Sequence, residues 1–309
     1  VTAAGAVLLG GPALVMLTRE PQTLMMGVSL MRGFGFGLCG VATGALTATL
    51  LPPERRGEGL GLLGIVAGVP AIVALPAGVW LAGDHLAPVA ATMAAASGLL
   101  PLAAIRWLPG GRDGRRTART RPEPGPRGSW RMAGAALRLP LIFGAATVAA
   151  GVLDSFLPLA AGVSSDLSSA ALLVQAITAT LTRWRAGRYG DRHGYARLLI
   201  PALVVAALGM AAMIVLSSPV MIFSGMVLFG AGFGVIESAT FALLIEQLPE
   251  ARASALWNLA YDAGYGAGPA IFGLICLTAG YPVAFALTGA LILAALPLAL
   301  RERKAVGLR

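Results

Sequence analysis

Ten long apolar runs restrict the fold of this chain more than any other feature of its sequence. Most of them approach or exceed the ~20 residues that an α-helix needs to cross about 30 Å of hydrocarbon. Barrel strands would alternate apolar and polar residues, which these runs do not, so the prediction is an all-α membrane protein. The predicted spans are residues 1–18, 22–51, 59–83, 87–108, 139–162, 169–187, 197–217, 219–247, 255–279 and 281–300.

Composition argues against a soluble protein and against several kinds of chemistry. Hydrophobic residues make up 57% of the 309 residues and charged residues 12%, about half of the ~25% in a soluble domain. Cys39 and Cys276 lie in apolar runs and form no disulfide framework or metal motif. The only histidines, His85 and His193, are in predicted loops on opposite sides, which excludes an intramembrane Ser–His dyad and His-based metal or haem ligation. We therefore expect no enzyme, no cofactor and no metal.

Basic residues are confined almost entirely to alternate loops. Of the 23 lysines and arginines, 21 lie in the segments that follow every second span and in the tail. The positive-inside rule then places both termini in the cytoplasm, and we expect a bacterial inner membrane. The same distribution explains the net charge of +9 without a nucleic-acid partner. The basic segments are 52–58, 106–138, 183–197, 248–254 and the tail 301–309.

One loop is much longer than the others. Residues 109–138 are rich in Arg, Pro and Gly and have no apolar period, which predicts a disordered cytoplasmic linker. Attraction of this segment to the anionic headgroups of the lipid bilayer is the alternative. The linker separates a group of four predicted helices, residues 1–108, from a group of six, residues 139–309.

An internal repeat relates the two groups. With an offset of 197 residues, 11 of the 23 residues in 33–55 are identical in 230–252, without a gap. Both copies run from outside to inside, as expected for a parallel repeat about an axis along the membrane normal. Because six helices follow the linker and only four precede it, we expect two further helices upstream of Val1.

The most specific motif is G-x-x-x-D-R-x-G, formed by Gly187, Asp191, Arg192 and Gly194 between the sixth and seventh spans. Glycines permit a tight turn, and Asp191 suits the positive end of a neighbouring helix, an interaction worth about 0.3–1 kcal/mol. The motif resembles the signature loop of the major facilitator superfamily, which joins the second and third helices of each six-helix half. The resemblance implies that superfamily's helical bundle and a secondary transporter that works by alternating access.

The resemblance also implies a gating role for this loop. The neighbour of Asp191 would be the helix that begins near Gly57, with Arg55 or Arg56 as a charge partner. Such a contact would lock one conformation and break in the other. For the arginines of the loop, a role as topology signals alone is the alternative.

Two further patterns have counterparts in the superfamily. Arg32 precedes the glycine-rich residues 33–37, loosely as in the family's fourth helix. The spans that correspond to helices five and eleven carry small residues, which allow close helix packing. These residues are Gly64, Gly68 and Pro70 in the first, and Gly264, Gly268 and Pro269 in the second. The family's antiporter signature has its Gly-Pro in helix five, whereas this chain has Gly-Pro in helix eleven.

Four charged residues lie more than five residues from either end of a predicted span: Arg32, Asp154, Glu237 and Asp262. Each costs at least ~2.5–3.5 kcal/mol at the bilayer centre, so we expect them to face a cavity or one another. The resemblance places the first three on helices that line the central cavity. All four are candidates for a substrate or proton site, and Glu237, which replaces Gly40 of the repeat, is the first candidate for coupling. A static ion pair between Glu237 and Arg32 is the alternative.

Together these features predict a monomeric secondary transporter for a small-molecule substrate. The few charges and many apolar positions favour proton-coupled efflux of small amphipathic compounds, as by an antiporter. An uptake facilitator for a small metabolite and a non-transporting sensor on the same fold are the alternatives.

Overall fold

The chain is helical in the part that the computed structural model describes, residues 2–17, 22–50, 70, 72–81, 86–105, 137–160 and 162–307. No strand occurs among these residues, so the predicted all-α class is confirmed. The described helices are α1 (Thr2–Gly10), a 3₁₀ helix (Gly11–Leu17), α2 (Gln22–Leu50), α3 (Ile72–Leu81), α4 (Ala87–Ile105), α5 (Arg138–Phe156), α6 (Ser165–His193), α7 (Ala196–Ala212), α8 (Pro219–Gln247), α9 (Glu250–Ala294) and α10 (Leu296–Gly307).

The chain divides into two compact units. The first comprises Val1–Pro70 and Trp80–Gly125, and the second comprises Ala71–Val79 and Pro126–Arg309. Within the described residues, three helical stretches are by themselves long and apolar enough to cross a bilayer: Arg138–Phe156, Pro219–Gln247 and Arg252–Ala305, the last of which covers most of α9 and α10. Four shorter helices are also apolar: Thr2–Val15, Ile72–Leu81, Pro88–Ala103 and Ala196–Ala212.

In the first unit, α1 packs against both α2 and α4. Glycine makes both approaches possible, because a Cβ on Gly35 of α2 would lie 2.6 Å from the backbone nitrogen of Leu9. A Cβ on Gly98 of α4 would lie 2.7 Å from the Cα of Gly10. The predicted span 1–18 is wrong as a single α-helix: Gly11 and Pro12 follow α1, and the chain continues as a 3₁₀ helix.

In the second unit, α5 packs along α9, and α8 packs against both α6 and α7. The backbones approach closely at glycines, as is typical of helices packed in a membrane. A Cβ on Gly230 of α8 would lie 2.6 Å from the Gln175 carbonyl of α6, and one on Gly232 would lie 2.5 Å from the Ala202 carbonyl of α7. Large side chains such as Phe143, Phe229, Phe272 and Phe285 fill the interior of this unit.

Helix ends in the second unit differ from the predicted ones where capping decides them. The span 169–187 is too short, because α6 begins after Ser164, whose Oγ accepts a 3.2 Å hydrogen bond from the Leu167 N–H. Helix α6 ends only at His193, and Gly194, whose φ is +87°, caps it. Most of the predicted loop 183–197 is therefore helical. The span 139–162 is too long, since α5 stops at Phe156 and Pro158 follows in a turn.

The last two predicted spans meet where the sequence indicates. Gly280, which separates spans 255–279 and 281–300, has φ +78° and ψ 171°, and Pro282 follows it. The helix resumes after this break and runs to Ala294. The charged segment 301–309, predicted as a tail, is instead helical as far as Gly307. It forms the last part of α10, which starts at Leu296.

Candidate functional site

An ion pair joins α6 and α8 inside the second unit. Arg183 donates from a guanidinium nitrogen to Glu237 Oε1 at 2.8 Å. The Glu237 side chain is 14% exposed and the Arg183 side chain 43% exposed. Both helices have 29 residues, and each partner lies at the same distance from the start of its helix. The positive charge of Arg183 neutralises the Glu237 carboxylate, which would otherwise be buried without a counter-charge.

This pair corrects the sequence-based interpretation of Glu237. The sequence analysis gives Arg32 as the partner of Glu237 in the alternative of a static ion pair. It places Arg183 in the basic loop segment 183–197. Arg183 lies instead within α6, more than two turns before its end. The sequence could not indicate this contact, because an arginine that pairs with a carboxylate inside a membrane protein cannot be distinguished by sequence from an arginine in a cytoplasmic loop.

Asp154 of α5 is in a different electrostatic situation. Its Oδ2 accepts a hydrogen bond of 2.5 Å from the Tyr265 hydroxyl of α9. Its Oδ1 is buried and has no hydrogen-bond partner among the described residues. Within the described part of the chain, Asp154 takes part in neither of the two ion pairs, Arg138–Glu302 and Arg183–Glu237. A tyrosine hydroxyl satisfies one oxygen but supplies no positive charge.

A line of aromatic rings connects the regions of the two carboxylates. Trp257, Tyr261 and Tyr265, here called the aromatic ladder, are spaced four residues apart on one face of α9. The ring centroids are 6.0 Å apart for Trp257–Tyr261 and 5.5 Å apart for Tyr261–Tyr265, with the rings nearly parallel. Phe143 of α5 stacks on Trp257 at 4.5 Å.

The ladder lies within electrostatic range of both acids. Tyr261 interacts electrostatically with Glu237 and with Asp154. The indole nitrogen of Trp257 is buried, and no described residue forms a hydrogen bond with it. Sequence analysis did not single out the ladder, although its four-residue spacing on one predicted span was visible.

The other predicted site residues lie apart from this arrangement. Asp262 is exposed on α9, beside Tyr261 in sequence but off the face of the ladder. Arg32 is partly buried on α2, in the first unit. Gly264 and Gly268 face α5: Cβ atoms there would collide with Thr147 and with the Val148 carbonyl. Pro269 lies within α9.

In the other small-residue group, Pro70 is exposed, whereas Gly64 and Gly68 lie outside the described residues. Arg55 and Arg56, the predicted charge partners of Asp191, are also outside them.

The signature motif forms the end of α6 and the turn into α7. Gly187, Asp191 and Arg192 are helical, and Gly194 makes the turn. Asp191 Oδ1 accepts a hydrogen bond of 2.7 Å from the hydroxyl of Tyr195, the first residue after that glycine. The same hydroxyl lies 3.1 Å from the Gly187 carbonyl oxygen.

The Tyr195 ring packs on Gly190, where a Cβ would collide with it. Burial, then the hydrogen bond and the charge of Asp191, and finally the charge of Glu246 raise the pKa of the Tyr195 hydroxyl, so it remains a donor at physiological pH. Sequence analysis did not single out Tyr195 and missed this contact.

Comparison with known proteins identifies the family. The family model described as "Major Facilitator Superfamily" matches residues 1–255 and 160–307. The chain belongs to this superfamily. No curated protein matches it.

Solved structures of the superfamily share the fold of this chain. A mutant of the peptide transporter POT has a TM-score of 0.69 at 15% identity, over 99% of this chain and 79% of that one. The same mutant in complex with sulfate has a TM-score of 0.68 at 15% identity, over 98% and 80%. A bacterial homologue of the human lysosomal transporter Spinster, inward-facing and unoccupied, has a TM-score of 0.68 at 17% identity, over 98% and 82%. At these identities the likeness shows the fold alone.

Membership of the major facilitator superfamily confirms the coarser predictions of function. The protein is a multi-pass membrane protein and a secondary transporter of small molecules, not an enzyme.

This superfamily member also has a polar cluster that the sequence did not indicate. Glu302 of α10 is only 2% exposed. It accepts a short hydrogen bond from Gln247 at the end of α8, and Arg138 at the start of α5 lies 3.8 Å from its other oxygen. The cluster therefore fastens α10 to the ends of two helices of the second unit.

Proposed function

We propose that this transporter exports small amphipathic compounds in exchange for protons, across a bacterial inner membrane with both chain termini in the cytoplasm. The observation that supports the proposal best is the difference between Glu237 and Asp154. Both lie on apolar, membrane-spanning helices, but Arg183 neutralises only Glu237.

Proton exchange fits Asp154 better than Glu237. A buried carboxylate must be paired with a cation or neutralised by a proton, because burying a lone charge is costly. Asp154 has one oxygen bonded to Tyr265 and one oxygen without a partner in the described part of the chain. Tyr261 interacts electrostatically with Asp154 and also with Glu237, whose charge Arg183 already compensates. A proton is thus the simplest neutralising partner for Asp154, and Glu237 becomes the second candidate.

The aromatic ladder favours an amphipathic cargo. Trp257, Tyr261 and Tyr265 are partly exposed, so their rings can contact a molecule beside α9. Aromatic rings bind flat apolar groups and also organic cations. The ladder itself carries no cationic group that would bind a polyanion.

Dye transport in proteoliposomes tests this proposal. The probes are three amphipathic dyes: ethidium, which is cationic, Nile red, which is neutral, and carboxyfluorescein, which is anionic. With an acidic lumen and the cytoplasmic face outward, the wild-type protein should accumulate at least one dye while protons leave. Asp154→Asn should abolish accumulation driven by the pH gradient and retain dye exchange without a gradient.

Two variants serve as comparisons. Asp262→Asn removes an exposed acid of the same helix as the ladder and should transport like the wild type. Glu237→Gln tests the second candidate: if it abolishes gradient-driven accumulation while Asp154→Asn does not, Glu237 carries the proton. Absence of transport of all three dyes by the wild type would contradict amphipathic efflux itself.

A further inference from the structure

Tyr195 lies at the signature turn but is not part of the G-x-x-x-D-R-x-G motif. It follows Gly194 directly, and its hydroxyl is the described partner of Asp191. The contact is local: it joins the last turns of α6 to Tyr195, the residue that precedes α7. Its ring is held independently of its hydroxyl, by packing on Gly190, where any side chain would collide with it.

The hydroxyl has one proton and two acceptors in reach. The Asp191 carboxylate is 2.7 Å away and the Gly187 carbonyl 3.1 Å away. A hydrogen bond to a charged group is stronger than one to a carbonyl, so Asp191 is preferred while it stays in place. When Asp191 turns to another partner, the proton can move to the Gly187 carbonyl. The hydroxyl has an acceptor in either arrangement, and this lowers the free-energy cost of exchange.

We propose that Tyr195 is a positioning residue for transport: its hydroxyl holds Asp191 in one conformation of the transporter and releases it, to bond the Gly187 carbonyl, in the other. The inference rests on alternating access but not on the cargo, on proton coupling or on the direction of transport. What changes between the two conformations is the partner of the Asp191 carboxylate.

The test compares Tyr195→Phe with Tyr189→Phe. The first variant removes the hydroxyl and keeps the ring on Gly190. The second removes a hydroxyl from an exposed tyrosine of the same motif, whose ring stacks on His193. Asp191→Asn keeps an oxygen that can accept from Tyr195 but removes the charge, and the double variant Asp191→Asn/Tyr195→Phe completes a cycle.

Two measurements are made on each variant. One is the turnover number and KM for whichever dye the wild type transports. The other is the rate at which N-ethylmaleimide labels the native Cys39 and Cys276, one in each unit, which needs no substrate. Thermal unfolding in detergent verifies that each variant is folded.

Tyr195→Phe should lower the turnover number and shift the labelling rates by roughly tenfold, the scale of one charge-assisted hydrogen bond, with KM unchanged. It should have little further effect in the Asp191→Asn background. Tyr189→Phe should match the wild type in both measurements.

Wild-type labelling and turnover in Tyr195→Phe would overturn the proposal, as would an effect that simply adds to that of Asp191→Asn. Failure of the efflux proposal would be seen differently: no dye would be transported, while the labelling shift would remain.

Discussion

At the scale of single residues, the pair between Arg183 and Glu237 makes a prediction about stability. Removing one partner leaves the other charge buried alone, whereas replacing both with apolar residues of similar size leaves no charge to compensate. Arg183→Met should therefore destabilise the protein by about 1–2 kcal/mol, less than the ~3–5 of a fully buried pair because Arg183 is 43% exposed. Arg183→Met/Glu237→Leu should recover most of that loss, as measured by thermal unfolding in detergent. A double variant less stable than the single one would show that the pair contributes net stability.

Contacts of single residues are also where the sequence was least informative. Asp154 and Glu237 could be recognised because a carboxylate in an apolar run is rare and costly. Their partners could not, because Arg183 and Tyr265 are 54 and 111 residues away and neither belongs to a motif. Tyr195 is only four residues from Asp191. Its contact depends on the turn at Gly194, and the same tyrosine without that turn would be an ordinary interfacial aromatic residue.

At the scale of helices, the seam between α5 and α9 predicts which glycines are essential. A Cβ on Gly264 would collide with Thr147 and lie 2.7 Å from the Gly144 carbonyl, whereas a Cβ on Gly266 would meet nothing within 4 Å. Gly264→Ala should cost about 1–3 kcal/mol, as overpacking does. Gly266→Ala should be neutral or stabilising by up to about 1 kcal/mol, because alanine is the better helix former. Thermal unfolding compares the two, and equal effects would contradict the packing of this seam.

Helix packing was more predictable than helix ends. The repeat pairs Gly35 with Gly232, and the structure places each against the preceding helix of its own unit: Gly35 on α1 and Gly232 on α7. Hydrophobic patterning located the helices because a bilayer demands long apolar runs. It missed the end of α6, where polar residues continue the helix beyond the apolar run, and it missed the break after Gly10, which depends on local backbone conformation.

At the scale of the whole molecule, the charge distribution predicts one orientation in the membrane. Glu302 contacts Arg138 and Gln247, so the start of α5, the end of α8 and α10 lie together at one end of the second unit. The linker 109–138 precedes α5 directly and carries many of the arginines, and α10 ends in a basic segment. Cationic residues are retained on the cytoplasmic side, so this end should face the cytoplasm.

An epitope inserted after Thr120, within the linker, should bind antibody in everted vesicles but not on intact cells. An epitope inserted after Gly162, in the turn at the opposite end of α5, should bind on intact cells. Reversed accessibility would place the arginines outside and would show that the pattern of basic loops does not set the topology of this transporter.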